Sequence, residues 1–225
     1  MLNEYVKDSK HPAVACVIWM HGLGADAKDM MGLANELLLT VPIRHVFLDA
    51  PVRPVTLNNG MSMRAWYDIL GMSLTAREDS EGIKQSSKII LQAMEKQIAE
   101  GFSSDRLFLA GFSQGGAMAL YTGVHFEKPL GGILALSAYL PLASLCHMLL
   151  PRKTPIFVAG GQHDPLVLPA WTRQVAVGLR EAGFEDIECH EYPMEHQICA
   201  QEIKDLSKWL DTHLTSMAHQ SGDHS

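Results

Sequence analysis

Short, unbroken apolar runs alternate along this chain with longer stretches whose apolar residues recur every three or four positions. Residues 13–20 are rich in valine and isoleucine, the pattern of a strand buried on both faces. Further runs of this kind cover residues 45–48, 106–110, 133–137, 156–159 and 187–192. Between them lie amphipathic stripes: Met30, Leu33/Ala34 and Leu37/Leu38; Ile83, Ile90, Met94 and Ile98; Trp171, Val175, Leu179 and Ala182; Ile203, Leu206, Leu210 and Leu214. Strands that alternate with helices predict an α/β fold, a mostly parallel sheet with helices on both faces. In such sheets functional residues gather in the loops beyond the carboxyl ends of the strands.

The loop after 106–110 holds Gly111-Phe112-Ser113-Gln114-Gly115, followed by small, helix-forming residues. Strand, sharp turn and helix is the setting in which G-x-S-x-G becomes a nucleophile elbow. Its flanking glycines are expected because a Cβ would crowd the turn and because glycine adopts positive φ cheaply. A serine hydroxyl needs a base to become a nucleophile. Of the eleven histidines, His196 follows the last strand and is the best placed. The acid that orients it should lie between serine and histidine. Asp164, after the 156–159 strand, fits; Asp186, Glu188 and Glu191 border or occupy the last strand and remain alternatives. The order Ser113, Asp164, His196 is that of α/β hydrolases. Two backbone N–H groups should hold the developing oxyanion: that of Gln114, after the nucleophile, and that of Leu23, in the Gly-rich turn His21-Gly22-Leu23-Gly24. His21 itself is expected to hold this turn.

Between residues 52 and 76 the periodicity is lost, and Asn59-Gly60 suggests a small hairpin turn. Excursions of this length in compact domains are usually functional. The 225 residues suit a single domain, with the ordered core at about 13–214 and a frayed tail at 216–225. With 47% hydrophobic and 19% charged residues, a compact protein is expected. A net charge of −7 argues against nucleic acid or an anionic membrane surface as partner. No signal peptide is visible in the first ten residues. The charge-free stretch 129–151 contains Gly131-Gly132, Pro141 and His147; a core strand followed by an apolar loop explains it better than a membrane span. The four cysteines, Cys16, Cys146, Cys189 and Cys199, form no C-x-x-C pair and read as reduced thiols in a cytoplasmic protein. Zinc held by Cys189, His190, His196 and Cys199 would need an uncommon spacing.

Several segments together resemble the carboxylesterase/acyl-protein thioesterase (phospholipase/carboxylesterase) family. They are Met20-His21-Gly22-Leu23-Gly24-Ala25-Asp26, Asp49-Ala50-Pro51, Arg64-Ala65-Trp66-Tyr67-Asp68 and Ala110-Gly111-Phe112-Ser113-Gln114-Gly115-Gly116. Glu191-Tyr192-Pro193-Met194-Glu195-His196 is similar to the histidine segment of its bacterial carboxylesterase branch. The resemblance implies an α/β-hydrolase fold and a serine hydrolase of esters or thioesters that uses no cofactor and no metal. It implies Ser113, Asp164 and His196 as the triad and the N–H groups of Leu23 and Gln114 as oxyanion donors. It also implies an acyl groove flanked by the loop Ile69-Leu70-Gly71-Met72-Ser73-Leu74, with Trp66, Leu70, Met72 and Leu74 as its substrate-binding residues. Family members often form homodimers. The departures are Glu195, where many relatives carry glycine, and Ala159-Gly160, where His-Gly is usual. The substrate could be a small ester, a lysophospholipid or an acylated protein. A non-catalytic binding protein and a peptidase are the remaining readings.

Overall fold

The computed structural model describes residues 3–71, 78–143 and 153–220, the side chains of 216–220 aside. Its strands are β1 (Glu4–Lys7), β2 (Ala15–Met20), β3 (Ile43–Leu48), β4 (Val52–Val55), β5 (Met61–Arg64), β6 (Leu107–Phe112), β7 (Gly132–Leu136), β8 (Ile156–Gly161) and β9 (Ile187–Tyr192). Its α-helices are α1 (Ala27–Glu36), α2 (Ser80–Ala99), α3 (Gln114–Val124), α4 (Pro169–Glu181) and α5 (Ala200–Gln220). Seven strands form one sheet in the order β1-β3-β2-β6-β7-β8-β9. Every pairing in it is parallel except that of β1 with β3.

Period-two alternation explains why the central strands are apolar throughout. In β2, Cys16, Ile18 and Met20 join the core beneath α2 and α3. Ala15, Val17 and Trp19 join the opposite core beneath α1 and α5. A strand with helices on both sides has no polar face to show.

The structure corrects the expected limits. The sheet begins at Glu4, ahead of residue 13, because β1 pairs with β3 from Glu4↔Leu48 to Lys7↔His45. The last helix runs to Gln220, past the expected limit of 214. Helix α1 stops at Glu36, with Leu37 already extended and Leu38 exposed. At its other end Asp26 and Asp29 form a capping box, and buried Asp49 accepts from the Ala27 N–H at 2.9 Å. The excursion after β3 contains the expected hairpin, β4 antiparallel to β5. Asn59 and Gly60 take positive φ at its turn. Of the long charge-free stretch, β7 accounts for the first part, and residues 144–152 lie outside the described residues. No helix among the described residues is long and apolar enough to cross a membrane.

Candidate active site

Strand β6 ends at Phe112 and α3 begins at Gln114, so Ser113 alone makes the turn. Its φ of 55° and ψ of −119° lie where a side chain is held only under strain, roughly 1–3 kcal/mol that the surroundings must offset. Of the two reasons expected for the flanking glycines, the crowding of the turn by a Cβ holds and positive φ does not. Neither is at positive φ; both are needed for close approach. A Cβ on Gly115 would stand 2.1 Å from the Met20 carbonyl oxygen, and one on Gly111 would stand 2.3 Å from the Gly115 carbonyl carbon. The elbow thus packs directly on the end of β2. The Ser113 N–H donates to Leu136 O at 2.8 Å, tying it to β7 as well.

The three residues named from the sequence meet at the carboxyl edge of the sheet. His196 Nδ1 lies 2.7 Å from Asp164 Oδ2, and His196 Nε2 lies 2.8 Å from Ser113 Oγ. A carboxylate only accepts, so Nδ1 carries the proton and donates. Nε2 is then the acceptor, and the serine hydroxyl donates to it. The Asp164 side chain is fully buried and that of His196 is mostly so. Asp164 Oδ1 accepts from the N–H groups of Leu166 and Val167 at 2.8 and 2.9 Å. The histidine loop is bound to the acid loop through the backbone. Gln162 N–H donates to Tyr192 O and His163 N–H to Met194 O. Gly161 permits this, since a Cβ there would lie 2.4 Å from the carbonyl oxygens of Met194 and Glu195. Phe112 lies against the imidazole, with ring centroids 4.9 Å apart.

The other acids considered have partners elsewhere. Asp186 faces His213, Glu188 faces His190, and Glu191 binds Arg173 at 2.6 Å. Glu195 is exposed next to His196.

The Gly-rich turn after β2 lies beside the elbow, where Gly22 approaches Phe112 and Ser113. His21, fully buried, holds this turn from both ring nitrogens. Nε2 accepts from the Ala50 N–H at 3.0 Å, and Nδ1 donates to Gly22 O at 2.7 Å. That pattern requires a neutral ring, and burial pushes the His21 pKa below its ordinary value. Leu23 and Gln114 both line the pocket at Ser113. Gln114 opens α3, so its N–H is one of the helix's first, which have no acceptor within the helix.

A pocket of about 450 Å³ opens at Ser113 and His196, with apolar walls that include Met30, Leu57, Ile69, Phe112 and Val167. Its size suits a small ligand. Two groove residues inferred from the family resemblance are placed differently. Trp66 is fully buried and forms no part of the wall. It supports the wall from behind, its indole N–H donating to His21 O at 2.9 Å. Of the expected groove loop, Ile69 and Gly71 line the pocket, while Leu70 is half-buried and is not among the lining residues. Met72 and Leu74 lie outside the described residues.

The sequence reading missed two features. Tyr67 and Tyr139 both line the pocket, and their hydroxyls are 2.8 Å apart. The Gln114 side chain fastens the wall to the elbow. Its Oε1 accepts from the Trp66 N–H at 2.8 Å, and its Nε2 donates to Tyr67 O at 2.7 Å. Among the described residues no group of three or more histidine, cysteine, aspartate or glutamate side chains is arranged to hold a metal ion.

The phospholipase/carboxylesterase family model matches residues 1–214, and the chain belongs to that family. It is 36% identical over 218 residues to acyl-protein thioesterase 1 of Emericella nidulans, covering 90% of each chain. It is 33% identical over 217 residues to acyl-protein thioesterase 1 of Schizosaccharomyces pombe, covering 94% of this chain and 96% of that one. Among solved structures it is similar to Zea mays acyl-protein thioesterase 2, with a TM-score of 0.81 and 27% identity over 94% of this chain and 99% of that one. The Bacillus cereus carboxylesterase has a TM-score of 0.77 and 20% identity over 95% of each chain, a likeness of fold alone. The fold is that of an α/β hydrolase, and the protein is a serine hydrolase.

Proposed function

We propose that Ser113, His196 and Asp164 form the catalytic triad of a carboxylic ester or thioester hydrolase that works through an acyl-enzyme. The observation that carries this reading is the continuous hydrogen-bonded line from Asp164 Oδ2 through His196 to Ser113 Oγ. In it each donor has one acceptor and the serine proton already points at its base. As Oγ attacks the substrate carbonyl carbon, its proton passes to Nε2. Asp164 keeps the Nδ1–H tautomer and stabilises the imidazolium. The N–H groups of Leu23 and Gln114 receive the oxyanion, each supplying about 2.7–4 kcal/mol in the transition state. When the tetrahedral intermediate collapses, the carbonyl–leaving-group bond breaks and Nε2–H protonates the departing alkoxide or thiolate. Water then attacks the acyl carbon and gives its proton to Nε2; as this second intermediate collapses, the bond from the acyl carbon to Oγ breaks, Nε2–H returns the proton to Oγ, and the carboxylic acid leaves with Ser113 free again. The proton transfers through His196 contribute roughly 10²–10⁴-fold.

The names of the fungal relatives and the apolar pocket support a thioester-linked or ester-linked acyl chain as substrate. The scattered thiols of Cys16, Cys189 and Cys199 support a reducing, cytoplasmic setting. Homodimer formation is carried over from the family as part of this proposal.

The test is labelling with a fluorophosphonate together with turnover of p-nitrophenyl esters, from acetate to palmitate, and of matched thioesters. Wild type should label once and turn over, and Ser113→Ala should do neither. Labelling and wild-type turnover by Ser113→Ala would overturn the mechanism.

A further inference from the structure

The pocket wall holds one polar pair that the proposed chemistry leaves unused, the hydroxyls of Tyr67 and Tyr139. Tyr67 comes from the segment after β5 and Tyr139 from the loop after β7, so their meeting is a contact across the pocket wall. Burial raises the pKa of both phenols, and both remain O–H donors throughout the neutral range. Two hydroxyls hold two protons, and the single bond between them uses one. The second proton has no partner among the described residues. The Glu78 carboxylate is near enough to raise both phenols further, yet its oxygens accept from the Leu142 N–H, and a buried donor left without an acceptor is costly.

The pair is rigidly placed. Tyr67 is held at its carbonyl by Gln114, and Trp66 is held at its N–H by Gln114 and at its carbonyl by the Ser86 hydroxyl. On the other side, both carboxylate oxygens of Glu78 accept from the Leu142 N–H at 3.0–3.1 Å, fixing the loop that carries Tyr139. A donor so fixed in a mostly apolar wall discriminates among ligands by what they place opposite it.

Resting on the esterase reading above, we infer that the Tyr67–Tyr139 hydroxyl pair is a specificity element that selects substrates whose chain carries a hydrogen-bond-accepting oxygen. A keto, ether or hydroxyl oxygen lodged against the pair receives the spare proton. An all-carbon chain of the same length strands it. One neutral hydrogen bond made or lost corresponds to roughly a two- to twelvefold difference in kcat/KM.

The experiment compares p-nitrophenyl hexanoate with its 3-, 4- and 5-oxo analogues, each enzymatic rate divided by the rate with hydroxide to remove intrinsic reactivity. Wild type should favour one oxo position over the plain ester by roughly two- to twelvefold. That preference should fall to about one in Tyr67→Phe/Tyr139→Phe and decrease in each single variant. The ratio within one protein is the readout, so a change in overall activity does not blur it, and the single variants serve if the double variant folds poorly. No favoured position in wild type overturns the inference. So does a preference that survives unchanged in every folded variant. A pair that only staples two loops would lower the melting temperature on substitution and leave the ratio where it was. If wild type fails to label with fluorophosphonate and to hydrolyse plain hexanoate, it is the esterase reading that fails.

Discussion

Asp164→Asn isolates the role of the acid, because the structure dictates how asparagine must sit. Oδ1 is fixed by two donors, the N–H groups of Leu166 and Val167, and only an oxygen can take that place. The amide NH₂ therefore replaces Oδ2 and points at His196 Nδ1, now 2.7 Å from a donor instead of an acceptor. Nδ1 must give up its proton to accept this bond, and the ring changes to the Nε2–H tautomer. Nε2 then presents a hydrogen to Ser113 Oγ and cannot take the serine proton. Loss of the correct tautomer in a Ser-His-Asp site costs about 10⁴-fold in kcat, equal to about 5 kcal/mol at 1.36 kcal/mol per decade. The replacement is isosteric and keeps the same number of hydrogen bonds, so the melting temperature should move by less than about 5 °C. The assay is kcat on p-nitrophenyl butyrate beside the second-order rate of fluorophosphonate labelling, and both should fall together. Turnover within tenfold of wild type in a folded variant would refute the tautomer argument. Asp186, Glu188 and Glu191 could not easily inherit the role, since each is engaged with another partner.

Gly115→Ala should destabilise by more than about 3 kcal/mol in urea unfolding, because its Cβ would meet the Met20 backbone, which no rotamer change can move. Gly178→Ala on α4, where nothing lies within 4 Å, should instead stabilise by about 0.5–1 kcal/mol. Stability should be greatest near pH 6.5. The buried neutral rings of His21 and His45, the latter lowered to about 4 by burial and by Lys7, bind protons more readily unfolded, so stability is lost as pH falls below the ordinary histidine value. Glu202, fully buried, acts in the opposite sense. Burial raises its pKa to about 8, partly opposed by the Cys199 N–H; its unfolded carboxyl ionises first, and stability drops from about pH 4.5 to pH 8. Urea unfolding at pH 4, 6.5 and 8 checks both signs, and Glu202→Gln should stabilise at pH 8 with little gain at pH 4.

The meeting of Ser113, Asp164 and His196 was legible because they lie beyond the ends of three apolar runs, and a parallel sheet brings those ends to one edge. Spacing along the chain says nothing of the distance between Ser113 and His196, but strand order does: only β7 and β8 stand between β6 and β9. The N-terminal strand was illegible for an equally definite reason. Glu4–Lys7 is mostly exposed, and it joins the sheet through its backbone, with Tyr5 and Val6 left facing outward. An edge strand held by ladder hydrogen bonds needs no apolar alternation, and periodicity finds only strands that bury a face. The end of α1 failed the same test in reverse. Leu37 and Leu38 continue the helical spacing, yet the chain leaves the helix at Glu36 and the Leu38 N–H goes to the Ser207 hydroxyl.

Trp66 shows where a residue's chemistry outruns what its position in a motif can say. The family resemblance places it in the groove wall. The indole N–H needs an acceptor once buried, and here the acceptor is the carbonyl of His21, in the turn that carries Leu23. The tryptophan therefore braces the turn that carries Leu23, while its neighbour Tyr67 lines the pocket. Gln114 closes the circuit, its backbone at the elbow and its side chain on both Trp66 and Tyr67. A displacement of the wall is thus transmitted to the turn and to the elbow together, through bonds between segments almost fifty residues apart in sequence. Glutamine is suited to this, since one amide supplies the acceptor for Trp66 N–H and the donor for Tyr67 O at once. Glutamate in its place would turn the bond to Tyr67 O into a contact between two acceptors, loosening the pocket wall while the hydrogen bonds among Ser113, His196 and Asp164 stayed intact.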